Sequence, residues 1–169
     1  MLLWFAGGSF AIVWQVFRDT AIDYRLVMLG AILPDVVDWP FGGARVFHTL
    51  LASVVLLFAV MALTGRRRAL RRRLLALPIG TFLHLVLDAM WTRAHIFWWP
   101  FLGRHFNGHG LPSFSHPVAG LVVEELAGAA LLVWAYRRFR LAEPARRSTF
   151  LRTGRLGRDL ADPAPEAGQ

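Results

Sequence analysis

Acidic and histidine residues interrupt three apolar stretches of this chain. They lie in Pro34-Asp35-Val36-Val37-Asp38, in Phe47-His48-Thr49 and in the run from Gly80 to Asp88. An ionisable side chain at the centre of a membrane span costs about 2.5–3.5 kcal/mol even on lenient insertion scales, so such residues mark candidate functional sites. Imidazole and carboxylate without thiolate suit Zn, Mn, Fe or Ni. We therefore predict a site for one or two divalent metal ions, Zn or Mn foremost, with these ligands: Asp35, Asp38, His48, His84 and Asp88.

The donor set favours hydrolysis over other chemistry. A divalent ion would neutralise clustered carboxylates and would lower the pKa of a bound water until hydroxide forms near neutral pH. The chain has no cysteine, which excludes disulfides, thiolate zinc sites and thiol nucleophiles. No Ser-His-Asp arrangement or glycine-rich phosphate loop occurs at a meaningful spacing.

Spacing relates these residues to helical geometry. Gly80, His84 and Asp88 recur every four residues, so a helix would place them on one stripe, and the glycine would let a neighbouring backbone approach. His84 and Asp88 could share a ligand or neutralise each other. Asp35 and Asp38 face the same way only if their segment is helical. Pro34 could begin a new helical turn and leave them near a helix N-terminus, or the segment could be a capping turn at the membrane surface.

A second group of residues could assist the chemistry. Glu124 lies four residues from both Gly120 and Gly128, which turns it toward neighbouring helices as a ligand, a general base or the partner of an arginine. The remaining histidines fall in or beside one loop, where the Asn-Gly pair at 107–108 favours a turn, and one of them could help to transfer protons: His95, His105, His109 and His116.

Composition predicts an integral membrane protein with an all-α fold. Of the 169 residues, 56% are hydrophobic, and they are concentrated in runs. Residues 47–64, 74–91 and 117–136 each match a roughly 30 Å hydrocarbon core and are predicted as clear spans. Two N-terminal apolar segments precede them, 2–17 and 26–34, of which the second could be broken or partly inserted at Pro34. We expect a multi-pass transmembrane helix bundle over residues 1–140.

Arginine placement predicts the orientation. The net charge of +8 comes from arginine alone, and arginines fill the loop at 66–73 and follow the last span at 137–140. The positive-inside rule makes both regions cytoplasmic. The acids and histidines then share the non-cytoplasmic half, and the protein is expected in the plasma (inner) membrane of a bacterium with its C-terminus in the cytoplasm.

The segment 141–169 differs in composition from the rest. It is rich in Arg, Pro, Ala and Glu and lacks apolar periodicity, so we expect a disordered cytoplasmic tail. Its arginines would be attracted to anionic membrane lipid. The absence of interleaved aromatic residues argues against nucleic acid as a partner, and the sequence makes no prediction of oligomeric state.

The order of these motifs resembles a known family. Gly30 to Asp38, then His48-Thr49, then Gly80 through His84 to Asp88, and finally Trp99-Pro100-Phe101 are similar to the YdjM-like family of membrane-bound proteins over about residues 26–101. The resemblance implies metal-dependent hydrolysis, with the polar set carried over to Asp35, Asp38, His48, His84 and Asp88. The chain departs from the family where Gly43-Ala44 replace a frequent His-Arg pair, so one ligand is lost or a loop histidine substitutes for it.

These observations together predict a membrane-bound metal-dependent hydrolase. Its substrate would be an amphiphilic molecule, such as a lipid, with an ester or phosphoester near the non-cytoplasmic face. An aromatic belt including Trp39, Trp91 and 97–101 would anchor the bundle or form a lip over the site. The alternatives are a transporter or proton-coupled carrier, which should have a polar path toward the other face, and a non-catalytic membrane adaptor.

Overall fold

The computed structural model describes residues 1–41, 43–103, 106 and 118–157 of the chain. Its described part is all-helical and contains no strand, which confirms the predicted fold class. Short 3-10 turns occur at Trp39–Phe41, Val46–His48 and Met90–Thr92. The α-helices are α1 (Leu2–Phe17), α2 (Tyr24–Asp38), α3 (Leu50–Thr64), α4 (Arg68–Leu74), α5 (Ala76–Leu87), α6 (Ala94–Phe97), α7 (Val118–Arg138) and α8 (Pro144–Thr153).

Helix α2 packs on both α5 and α1, and α1 packs in turn on α5 and α7. Asp23, just before α2, contacts Arg73, just before α5, and Ala31 farther along α2 contacts His84 farther along α5. The two helices are therefore parallel. We call the end of the bundle with Asp23, Arg73 and α8 the arginine end, and the end with His48 and His84 the site end.

Two glycines set the distance between α2 and α5. A Cβ added to Gly80 would lie 2.9 Å from the Cα of Gly30, closer than real Cβ contacts come, and it would overlap the carbonyl of Val27. This confirms the prediction that Gly80 lets a neighbouring backbone approach. The close approach brings the side chain of His84 against the backbone of α2.

The predicted set of three clear spans is not confirmed. Among the described residues, only α7 is both long and apolar enough to cross a membrane, and α1 and α3 are apolar but shorter. The run 47–64 contains the 15-residue helix α3, and the run 74–91 contains the 12-residue helix α5. A polar residue bounds each helix inside its apolar run: Thr49 caps the start of α3 through the amide of Ala52, and α5 stops before Asp88.

Helix α2 also differs from the prediction, because it runs without interruption through Pro34 to Asp38. Pro34 therefore does not begin a new helix, and Asp35 and Asp38 lie near a helix C-terminus instead of an N-terminus. The condition that both aspartates be helical is met.

The tail differs from the predicted disordered segment over residues 144–157. Helix α8 begins with Pro144, which is favourable at a first helical position, and Gly154 ends it in the left-handed region at φ 71°. Leu156 is buried in the aromatic core of Phe10, Trp14 and Phe139, beside Tyr24. The segment 158–169 lies outside the described residues.

Asp23 helps to hold this tail against the start of α2. Its carboxylate accepts hydrogen bonds from Arg25 at 3.0 Å and from Arg73 at 2.9 Å, and Arg25 also donates to the Leu151 carbonyl in α8. The amide of Tyr24 donates to the Gly154 carbonyl at 2.9 Å. Burial opposes ionisation of Asp23, but the two arginines outweigh it and keep its pKa below the ordinary value.

Candidate metal centre

His84 is held by the close packing of α2 and α5. Its Nδ1 atom is 2.7 Å from the carbonyl oxygen of Ala31, and its ring lies against the ring of Phe5 with centroids 4.1 Å apart. The side chain is fully buried. A carbonyl oxygen can only accept, so the hydrogen of the imidazole is on Nδ1, and Nε2 is left with a free lone pair.

His48 is held by a buried carboxylate. It ends the 3-10 turn Val46–His48, and its Nδ1 is 2.8 Å from Oδ2 of Asp38. The same oxygen accepts the backbone amides of Arg45 at 2.8 Å and Phe47 at 3.1 Å. Asp38 therefore fixes both the path of this turn and the orientation of the His48 ring, in the manner of carboxylates that orient metal-binding histidines.

Three donor atoms from three segments converge beside these residues. Nε2 of His48 lies 3.2 Å from Oδ1 of Asp35 and 3.3 Å from Nε2 of His84, and Nε2 of His84 lies 3.7 Å from Oδ1 of Asp35. Within the described part of the chain, these are the residues that form a group of three or more potential ligands. The predicted convergence is thus found for Asp35, His48 and His84.

The spacing of these atoms fits a metal ion of the predicted kind. Donors bound to one tetrahedral zinc ion at about 2.0–2.1 Å lie about 3.4 Å from one another. The three measured separations, 3.2, 3.3 and 3.7 Å, bracket that value. Two imidazoles and one carboxylate also match the ligand types of catalytic zinc sites that leave a fourth position for water.

The charge distribution around these atoms favours a cation. With hydrogen on Nδ1 of both rings, the two Nε2 lone pairs and the Asp35 carboxylate face one another, which is repulsive unless a positive charge lies between them. The parallel helices α2 and α5 also both direct their C-terminal ends toward this point. Helix C-termini carry partial negative charge and stabilise cations.

One side of the cluster reaches the surface. The side chains of His48 and His84 are fully buried, whereas that of Asp35 is 13% exposed. Phe5 covers the face of His84. Any small molecule that reaches these donor atoms therefore approaches from the side of Asp35.

The other predicted residues lie outside the three-residue cluster. Asp38 contacts the cluster through His48. Asp88 is buried and follows the end of α5, one turn beyond His84, and its role as a ligand stays a prediction. Glu124 is on α7, which packs against α1, and its assistance to catalysis also stays a prediction. His95 is exposed, and the other three loop histidines lie outside the described residues: His105, His109 and His116.

Sequence reasoning missed two contributors to this site. The carbonyl of Ala31 sets the tautomer of His84, but a backbone acceptor carries no residue-type signal. The interaction of Asp38 with the amides of Arg45 and Phe47 also depends on a turn that no periodicity predicts. The one available signal for Ala31 was its neighbour Gly30, since paired small residues mark closely packed helices.

The fold and the cluster define an all-helical protein with one described helix long and apolar enough to span a membrane, and with a buried histidine and carboxylate site at one end of its bundle. The chain belongs to the YdjM inner membrane protein family, whose family model matches residues 1–146. This match confirms the resemblance and extends it to both N-terminal segments and α7. No curated protein and no solved structure matches the chain significantly.

Proposed function

We propose that this protein is a membrane-bound metal-dependent hydrolase that acts on an ester or phosphoester of an amphiphilic substrate. The observation that carries the proposal is the convergence of Asp35, His48 and His84 at separations of 3.2–3.7 Å. A divalent ion bound there would supply hydroxide near neutral pH.

The residues of the chain have distinct parts in this proposal. Asp35, His48 and His84 hold the ion, Asp38 keeps His48 in the tautomer that exposes Nε2, and the Ala31 carbonyl does the same for His84. The buried ring of Phe5 excludes water from one side of His84. Arg45, which is exposed and directly precedes the same turn, offers a positive group for a phosphoester.

The amphiphilic substrate is inferred from the location of the site. The cluster lies at the end of the bundle away from the arginine-rich segments, and the positive-inside rule assigns that end to the non-cytoplasmic face. Trp39, Trp91 and Phe101 are exposed near this end, as expected for residues at the membrane interface. A molecule with its polar group at this depth would keep its apolar part in the bilayer.

Metal content and hydrolysis test the proposal together. Purified protein in detergent should hold about one zinc or manganese ion per chain, as expected for one site with three ligands, and should hydrolyse bis(p-nitrophenyl) phosphate or p-nitrophenyl butyrate. His84→Gln and His48→Gln should lose both properties, whereas the matched control His95→Gln should keep them. A folded wild type that holds no metal and gains none on titration would overturn the proposal.

One contact favours a second candidate, a proton-coupled carrier. The two Nε2 atoms at 3.3 Å could share a proton in place of a metal ion. The interior of α5 on the arginine side of His84 is less suited to this function, since its buried residues are Ala76, Pro78, Gly80, Thr81 and Leu83. Proton flux into liposomes that His84→Gln abolishes, in protein without bound metal, would favour the carrier.

A further inference from the structure

An apolar groove runs along the bundle next to the candidate metal centre. Helices α1 and α3 both pack on α5 but barely contact each other, so α5 forms the floor between them. The groove has a volume of about 380 Å³, within the roughly 300–1,000 Å³ of small-molecule sites. The side chains that line it are apolar except for that of Ser53.

The groove is lined by residues that lie close to the cluster residues in the sequence. Leu83 lines it and precedes His84 in α5, and Leu50 lines it two residues after His48. From Leu50 the groove follows α3 toward the arginine end as far as Leu57, a distance of about 10 Å along the helix. A chain molecule in this groove would therefore run lengthwise from the site end toward the arginine end.

Ser53 gives the groove one polar atom near the cluster. Its hydroxyl is buried and has no hydrogen-bond partner within the described residues, although Thr64 in the same helix donates to the carbonyl four residues earlier. Ser53 is one turn from Thr49, about 6 Å along α3. An unsatisfied buried hydroxyl is costly, and an ester carbonyl of a ligand would satisfy it.

We propose that this groove binds one acyl chain of a membrane lipid, with the ester of that chain at Ser53 and its head group toward Asp35. The open outer walls of the groove include Val16 and Phe82, which are exposed, so a chain can enter sideways from the bilayer. That this lipid is the substrate rests on the proposed hydrolase function. The binding of the chain does not depend on it.

The test uses phosphatidylglycerol with a photoreactive diazirine on one acyl chain, in nanodiscs containing the full-length protein. We expect labelling at Leu57 and Ile79 to exceed labelling at Leu126, which is exposed on α7 and reports ordinary surrounding lipid. Equal labelling at the two locations would show that the groove holds no specific chain and would overturn the inference.

Variants on α3 make the test specific. Val54→Trp fills the groove and should reduce retention of phosphatidylglycerol by about tenfold, the effect of two methylenes that no longer fit. Val55→Trp, at the next and exposed position, is the matched control and should retain the lipid. Ser53→Ala should weaken retention by about fivefold through the lost hydrogen bond. Retention by all three variants equal to wild type contradicts the proposal.

Zinc content of the same samples separates the two proposals. Retained lipid without metal or hydrolysis would support the groove as a lipid site and would contradict the hydrolase function. Bound zinc with hydrolysis of short esters but no retained lipid would contradict lipid binding in the groove and would support the hydrolase function. If both are correct, Val54→Trp lowers hydrolysis of p-nitrophenyl laurate more than hydrolysis of p-nitrophenyl butyrate, and Val55→Trp shows no such difference between the two esters.

Discussion

The two ends of α2 both bury aspartate side chains, but different cations accompany them. Asp23 at the start of the helix is 2.9–3.0 Å from the guanidinium groups of Arg73 and Arg25. Arginine stays charged at any relevant pH, so this carboxylate is permanently compensated. The helix dipole also favours an acid at this end.

Asp35 and Asp38 at the end of α2 have histidines as partners instead. Imidazole is charged only when protonated, and the dipole disfavours acids at a helix C-terminus. The negative charge of these carboxylates is therefore compensated only when a histidine is protonated or another cation binds. The charge at the arginine end is thus compensated by fixed cations, whereas compensation at the site end depends on protonation of histidine or, in the proposed function, on a bound metal ion.

Loss of a cluster ligand should have the largest effect of the changes considered, and this effect should be on metal affinity at the site end. His84→Gln removes one of three donor atoms from the ion. Since an orienting partner alone is worth about 10–100-fold in metal affinity, the loss should exceed about 100-fold. Zinc titration by calorimetry measures it. Asp23→Asn, the matched buried acid at the other end of α2, should leave the affinity unchanged.

Loss of the orienting carboxylate should have the next largest effect. Asp38→Ala frees the His48 ring and the amides of Arg45 and Phe47, so zinc affinity should fall about 10–100-fold. Asp38→Asn keeps an acceptor and should lose less. Equal losses for Asp38→Ala and His84→Gln would indicate that Asp38 is itself a ligand, as the sequence predicts.

A change in the spacing between α2 and α5 should affect both ends at once. Gly80→Ala places a methyl group against the backbone of Gly30 and Val27, which should lower the free energy of unfolding by about 1–3 kcal/mol and weaken zinc binding. Gly8→Ala meets only the flexible side chain of Leu87 and serves as the control. Thermal unfolding in detergent compares the stability of the two variants with that of wild type. An undisturbed Gly80→Ala variant would contradict the close approach.

Removal of the fixed ion pair should have a smaller and local effect. Asp23→Ala loses a helix cap and the partner of Arg25 and Arg73, at a cost of about 0.5–2 kcal/mol. Helix α8 should then be released, so trypsin should cut at Arg152 and Arg155 faster than in wild type. Glu143→Gln, which loses only an exposed ion pair with Arg146 within the tail, should change the cleavage rate less.

Lowering the pH should release the metal ion at the site end before it releases α8 at the arginine end. Protons compete with the metal at the histidines, so the ion should leave first. Because the folded pKa of Asp23 is below its ordinary value of 3.8, its contribution to docking is present above that value and disappears only as the pH falls through the lowered pKa. A fluorophore on Thr149→Cys, unique in this cysteine-free chain, reports docking. Release of α8 at a higher pH than release of the metal would contradict this order.

Part of the site was predictable because its signals are local. The four-residue spacing of Gly80 and His84 fixes one helical stripe, and the arginine-rich loops place Asp35 and His48 at the same end of the bundle. The structure agrees for these residues. The distinction between ligand and orienting carboxylate was not predictable, since Asp35 and Asp38 are the same residue type in the same helix.

The tail and the spans show where hydropathy and composition are insufficient. The segment 144–157 lacks apolar periodicity, but Leu156 and Phe150 pack on a core built by distant residues. Apolar runs likewise predict full spans, whereas α3 begins only after its N-cap Thr49 and α5 stops before Asp88. Capping and long-range contacts outweigh hydropathy at these positions.

Composition, motif order and spacing were enough to predict the all-α class, the family and the residue types of the site, because these are properties of the chain. Which atoms meet depends on how the helices pack. The parallel packing of α2 on α5 through Gly30 and Gly80 brings Asp35, His48 and His84 within 3.7 Å, while Asp38 and Ala31 fix the rings. The physical reason is that donor geometry depends on contacts between residues far apart in the chain, and hydrophobic patterns do not encode those contacts individually.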